Sequence, residues 1–98
     1  MIVDCLSFLV SNLLDKAHDL GDIEALQGDI LDELSRLLER RGNIIIVSNE
    51  VGMGLVPNYP VGRVYRDLLG RANQFVAQRA DRVYLMIAGI PLQLKVRD

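Results

Sequence analysis

Four consecutive β-branched residues, Ile44-Ile-Ile-Val47, constrain this chain more than any other stretch. Such side chains are stiff at χ1 and pack well on a pleated surface. An apolar run without polar alternation is best explained by a strand buried on both faces of a parallel sheet. The run ends at Ser48 and opens into Asn49-Glu-Val-Gly-Met-Gly-Leu-Val-Pro-Asn-Tyr-Pro60. Open α/β sheets place ligands where strands end in glycine-containing loops of this kind, although the same composition also serves ordinary turns.

The flanking sequence supplies alternating elements. Met1 to Val3 is β-compatible and ends at Asp4. Leu6, Leu9, Val10, Leu13 and Leu14 recur at helical spacing, which predicts a helix from Leu6 to about Lys16. After the polar connection Ala17 to Gly21, Asp22 is placed to cap a second helix. Its stripe is Ile23, Leu26, Ile30, Leu31, Leu34, Leu37 and Leu38, with Arg40 and Arg41 in the last turn and Gly42 as the stop. Pro57 and Pro60 stiffen the loop that runs from Asn49 to about Val61. A third helix is predicted from about Gly62 to Ala80. Val64, Leu68, Leu69, Ala72, Phe75 and Val76 fall on one arc, and Arg63, Arg66, Asp67, Gly70, Arg71, Asn73 and Gln74 on the other. Arg82 to Ala88 reads as a further buried strand, Gly89-Ile-Pro91 as a break and Leu92 to Val96 as a short edge strand. The fold class expected is α/β, with a mainly parallel sheet and flanking helices.

Composition bounds the function. With 98 residues, half of them hydrophobic, the chain fits one small domain with a modest core. A net charge of −2 gives no general reason to expect nucleic acid. The lone Cys5 excludes an intrachain disulfide and suits a reducing, cytoplasmic setting. No stretch approaches the roughly 20 apolar residues of a membrane span.

Several residues can carry chemistry. Asp4 ends a strand where phosphate-binding α/β proteins hold Mg²⁺, and it is equally placed to cap the next helix. Asn49 and Glu50 end the second strand on the same sheet edge, and Gly52 and Gly54 let backbone approach a ligand. Arg63, Arg66 and Arg71 offer planar forks suited to phosphate oxygens, although a basic helix face is commonly just solvated. Gly70 costs its helix about 1 kcal/mol relative to alanine, which close approach by a neighbour or ligand would offset. His18, the sole histidine, has no orienting partner beyond Asp15 and Asp19, and Cys5 reads as a small buried residue. No GxxxxGK[ST] loop occurs between residues 1 and 98.

The segments Val3-Asp-Cys-Leu-Ser7 with Ser11-Asn-Leu-Leu14, Val47-Ser-Asn-Glu-Val-Gly-Met-Gly-Leu-Val-Pro57, and Tyr65-Arg-Asp-Leu-Leu-Gly-Arg-Ala-Asn-Gln74 together resemble one family. It is the bifunctional adenosylcobinamide kinase / adenosylcobinamide-phosphate guanylyltransferase family of cobalamin biosynthesis. The tail Ala80 to Lys95 is similar as well, so the likeness covers essentially the whole chain. The resemblance implies a RecA-like P-loop nucleotide-binding fold, with residues 1–98 as the C-terminal portion of one domain. It implies phosphorylation of adenosylcobinamide, then GMP transfer from GTP through a guanylylated histidine, with Mg²⁺ and GTP or ATP as cofactors. It further implies a homo-oligomer, a trimer. By position Asp4 resembles a Walker-B-type metal residue. Asn49, Glu50, Gly52, Gly54, Arg66, Asp67, Arg71 and Asn73 resemble the family's nucleotide-site region. The P-loop and the covalent histidine precede the matching segment in this family, so His18 does not inherit the covalent role. The alternative is a non-catalytic fragment or subunit that binds a partner half or self-associates.

Overall fold

The computed structural model describes residues 1–16, 23–40, 42–51 and 60–97, without the side chains of 60 and 61. The elements in order are β1 (Ile2–Asp4), α1 (Leu6–Asp15), α2 (Ile23–Leu38), β2 (Ile45–Val47), α3 (Pro60–Arg79), β3 (Arg82–Ile87) and β4 (Ile90–Val96).

The three helices make the core by their own periodicity. Leu6, Val10 and Leu14 of α1 stand at intervals of four, as do Leu26, Ile30 and Leu34 of α2, and all six are buried. Leu68, Leu69 and Ala72 of α3 complete the cluster. Side chains four apart on a helix share a face, so each helix presents one apolar stripe to the other two. Val64, Phe75 and Val76 pack against the cluster from the predicted arc of α3. No strand residue is fully buried; Ile46 and Val51 touch the cluster from the sheet side.

β1 and β2 pair in parallel, Ile2 with Ile45, Val3 with Ile46 and Asp4 with Val47. The α/β class and the parallel connection expected of Ile44–Val47 are therefore present. Its burial is not: Ile45 is 59 % and Val47 45 % exposed, because helices cover one face of the pair only. The shortest dimension of the molecule, 19 Å, has room for one helix layer on one sheet layer, about 10 Å apart.

The expectation for the C-terminal third is corrected more strongly. β3 is not a buried strand of a parallel sheet. It pairs antiparallel with β4 in a separate two-stranded sheet, and Tyr84, Met86 and Ile87 are all about half exposed or more. The expected break at Gly89-Ile-Pro91 is a tight turn at Ala88 and Gly89, both at positive φ (52° and 75°), after which Ile90 already belongs to β4. Two successive left-handed residues match the right-handed twist of a hairpin, so the chain reverses there instead of crossing over.

Helix boundaries shift in small ways. α3 begins at Pro60, inside the stretch read as loop, since a first-turn proline loses no helical hydrogen bond. α2 ends at Leu38, so Arg40 follows the helix, and Gly42 turns the chain at φ 103°. The residue preceding α1 is Cys5, with no side-chain cap bond, so Asp4 closes β1 and does not cap α1. Nothing approaches within 4 Å of a Cβ built on Gly70, so the close neighbour expected there is absent among the described residues. The expected cap Asp22, the connection Ala17 to Gly21 with His18, Arg41 and the loop residues Gly52 to Tyr59 lie outside the described residues. No described helix is long and apolar enough to cross a membrane.

Candidate functional site

Because β1 and β2 are parallel, their carboxyl ends share one edge, and Asp4 faces Val47 on the last rung. The chain beyond that rung, Ser48 to Val51, has no strand partner among the described residues. Helix side chains hold it instead. Ser48 Oγ donates to Asn73 Oδ1 at 2.5 Å, and Asn73 Nδ2 donates to the Asn49 carbonyl at 2.9 Å. One α3 amide therefore uses both its ends on consecutive loop residues. Arg66 Nε, about two turns earlier on α3, donates to the Val51 carbonyl at 2.9 Å.

The opposite wall is α1. Asn49 Nδ2 donates to Ser7 Oγ at 3.0 Å, and Cys5 Sγ lies 2.8 Å from the same oxygen. Tyr65 of α3 reaches the Ser7 carbonyl at 3.5 Å. Ser7 is 6 % exposed, the buried polar residue of the molecule's described part. A buried hydroxyl needs partners to offset its desolvation, and here those partners tie β1–α1, the loop and α3 into one unit.

Of the sequence-nominated residues, the structure thus brings Asn49, Arg66 and Asn73 into one hydrogen-bonded group. Glu50, Asp67 and Arg71 are exposed beside it, and Asp4 is exposed on the neighbouring strand end. Gly52 and Gly54 lie outside the described residues. Ser7, Ser48 and Tyr65 were not singled out from sequence. Ser7 did carry a signal, because it stands three residues before Val10 and seven before Leu14, a polar residue within an apolar helical stripe.

The rim formed by Asn49, Glu50, Arg66, Asp67, Arg71 and Asn73 is the polar end of an open cleft of about 1680 Å³ that continues along α3 to β3. A smaller hollow of about 340 Å³ lies apart from the strand ends, between Ser35, Leu38, Glu39 and Arg79. Among the described residues no three His, Cys, Asp or Glu side chains gather as an all-protein metal cage would need. Mg²⁺ ordinarily keeps several waters and takes one or two carboxylates with substrate phosphates, a demand that an exposed strand-end Asp4 meets.

A sequence model of the family described as cobinamide kinase / cobinamide phosphate guanyltransferase matches residues 1–94. Among curated proteins, the bifunctional adenosylcobalamin biosynthesis protein CobU of Escherichia coli strain K12 is 35 % identical over 104 residues, covering 97 % of this chain and 58 % of that protein. CobU of Salmonella typhimurium is 34 % identical with the same coverage. The bifunctional adenosylcobalamin biosynthesis protein CobP of Pseudomonas aeruginosa is 40 % identical over 95 residues, 97 % of this chain and 53 % of its own length. The chain thus spans a little over half the length of the curated relatives it matches.

Proposed function

The chain belongs to the cobinamide kinase / cobinamide phosphate guanyltransferase family, and on that premise we propose that it contributes one wall of a nucleotide site acting on adenosylcobinamide in cobalamin biosynthesis. The observation that carries this reading is the continuous match over residues 1–94, with the hydrogen-bonded rim at the carboxyl ends of β1 and β2 inside it. In α/β sheets this is the edge that receives ligands.

Each residue has a role derived from its place. Asn73 and Asn49 fix the backbone of the loop start, so that its polar groups are oriented before a ligand arrives, the arrangement that electrostatic stabilisation of phosphoryl transfer needs. Arg66 anchors Val51, which makes it a positioning residue first. Arg71, exposed one turn from Asp67, has the fork geometry to pair with phosphate oxygens. Asp4, at the strand end, would hold Mg²⁺ through water. When bound with a nucleoside triphosphate, Mg²⁺ neutralises charge on the phosphate oxygens. The finer features stay with the resemblance: GTP or ATP as the nucleotide, a RecA-like P-loop fold, a trimer and a cytoplasmic location. The covalent histidine is not assigned to this chain.

The test is a chimera in which residues 1–94 replace the matched region of the E. coli relative. It is expected to convert adenosylcobinamide to its phosphate and then to adenosylcobinamide-GDP with GTP and Mg²⁺. Asp4→Asn is expected to lower turnover about 100-fold, roughly the effect of one removed electrostatic group, while the circular dichroism spectrum is retained. A folded but inactive chimera would overturn the reading.

A further inference from the structure

We propose that Ser7 is a positioning residue for the nucleotide site: its hydroxyl acts through the Asn49 side chain to hold the loop beyond β2 in register with the end of β1. This role deepens the functional reading above and depends on it. The β1–β2 ladder stops at the rung of Asp4 with Val47. Backbone pairing ends there because Leu6 opens α1 and turns that chain into a helix. Side chains continue the connection. Ser7 Oγ, just past Asp4, accepts from Asn49 Nδ2, just past Val47, at 3.0 Å. Asn49 is held from the other side as well, where Asn73 Nδ2 of α3 donates to its carbonyl at 2.9 Å. The carbonyl bond alone would leave the Asn49 side chain to choose among its rotamers. The Ser7 bond removes that freedom, so α1 and α3 clamp one loop residue between them.

Two observations separate this role from plain packing and from direct contact. Ser7 belongs to the buried stripe of α1 that Leu6, Val10 and Leu14 otherwise form. An apolar residue there would need no partner, whereas a buried hydroxyl must be satisfied, and Ser7 Oγ engages both Asn49 Nδ2 and Cys5 Sγ. Asn49 stands on the rim of the open cleft, while Ser7 is not among the residues that line it. Ser7 therefore reaches a ligand only through Asn49.

The test has two arms. In the isotope-labelled chain, Ser7→Ala is expected to drop the NMR order parameter of the Asn49 side-chain amide below about 0.6, the range of flexible groups. In the chimera described above, the same change is expected to lower kcat for adenosylcobinamide phosphorylation by about tenfold or more. KM should stay within about twofold, because the loop is misplaced and not lost. Asn49→Ala keeps the carbonyl that Asn73 holds and removes only the side chain that Ser7 holds, so an equal fall in kcat is expected. Adding Ser7→Ala to it should change nothing further, the signature of two residues acting as one unit. Ile30→Val, a core truncation on α2 outside these bonds, controls for loss of stability and is expected to keep the parent kcat. Three results would overturn the proposal: an Asn49 amide as rigid in Ser7→Ala as in the parent, an unchanged kcat in either single variant, or losses that multiply in the double variant. An inactive unsubstituted chimera would instead overturn the functional reading, and the order parameter would then decide for or against Ser7 as the residue that positions the loop.

Discussion

Asn73 shows how much of the site hangs on single side chains. Its amide accepts from Ser48 and donates to Asn49, so Asn73→Ala removes both bonds in one change. The two loop residues are exposed and water replaces part of the loss. Unfolding free energy in urea is therefore expected to fall by only about 1 kcal/mol. Hydrogen exchange at Ser48 to Val51 should rise far more than elsewhere. Asn73→Asp is expected to be worse than alanine in that local readout, because a carboxylate can accept from Ser48 but faces the Asn49 carbonyl without a proton to donate. Ser7 sits deeper. Ser7→Ala leaves Asn49 Nδ2 without its acceptor in a partly buried place, and a loss of about 1–2 kcal/mol is expected in the same titration. The choice of Asn at positions 49 and 73 was visible from the start, but its purpose was not. Sequence shows that two amides lie 24 residues apart, and only the packing of α3 against β2 shows that one holds the other.

At the level of elements, the helices were legible and the strands only in part. Stripes such as Leu26, Ile30 and Leu34 are satisfied by neighbouring helices of the same chain, so periodicity and burial agree. Leu34→Ala is expected to cost about 2–5 kcal/mol, enough to unfold much of so small a core, as read by thermal denaturation. Ile44–Val47 and Arg82–Ala88 announce sheets covered on both faces, and the described residues cover one face at most. Residue type reports the surroundings a strand is suited to, not the number of layers present. The hairpin was missed for a different reason. Ala88 lacks the turn chemistry that marks a reversal, yet takes φ 52°, a conformation that costs an ordinary residue roughly 1 kcal/mol or more. Ala88→Asn, which suits a left-handed position before Gly89, is expected to raise the stability of the hairpin by about 0.5–1 kcal/mol in chemical denaturation.

For the whole molecule, a dense helical layer carries two short sheets with exposed apolar surfaces. Ile2, Ile45, Met86, Ile90 and Leu94 are each at least 59 % exposed, a distribution uncommon in an isolated domain. Self-association at high concentration is expected. Met86→Lys, on the outward side of the hairpin, should reduce it in sedimentation measurements without altering the far-UV spectrum, since lysine on an exposed strand discourages edge and face pairing.

α3 also sets how the loop can move. Side chains pin it at its middle and near its C-terminal end: Arg66 and Asn73 hold the loop start, while Lys95 of β4 donates to the carbonyls of Ala77 and Gln78 at 2.9 Å each. A helix that slides by a fraction of a turn rotates its side chains off their partners, so these bonds keep step or break together. The next position in which the same face meets the loop is one full turn away, about 5.4 Å. The placement of Ser48 to Val51 against α3 is therefore indexed like a ratchet, in steps of one helical turn.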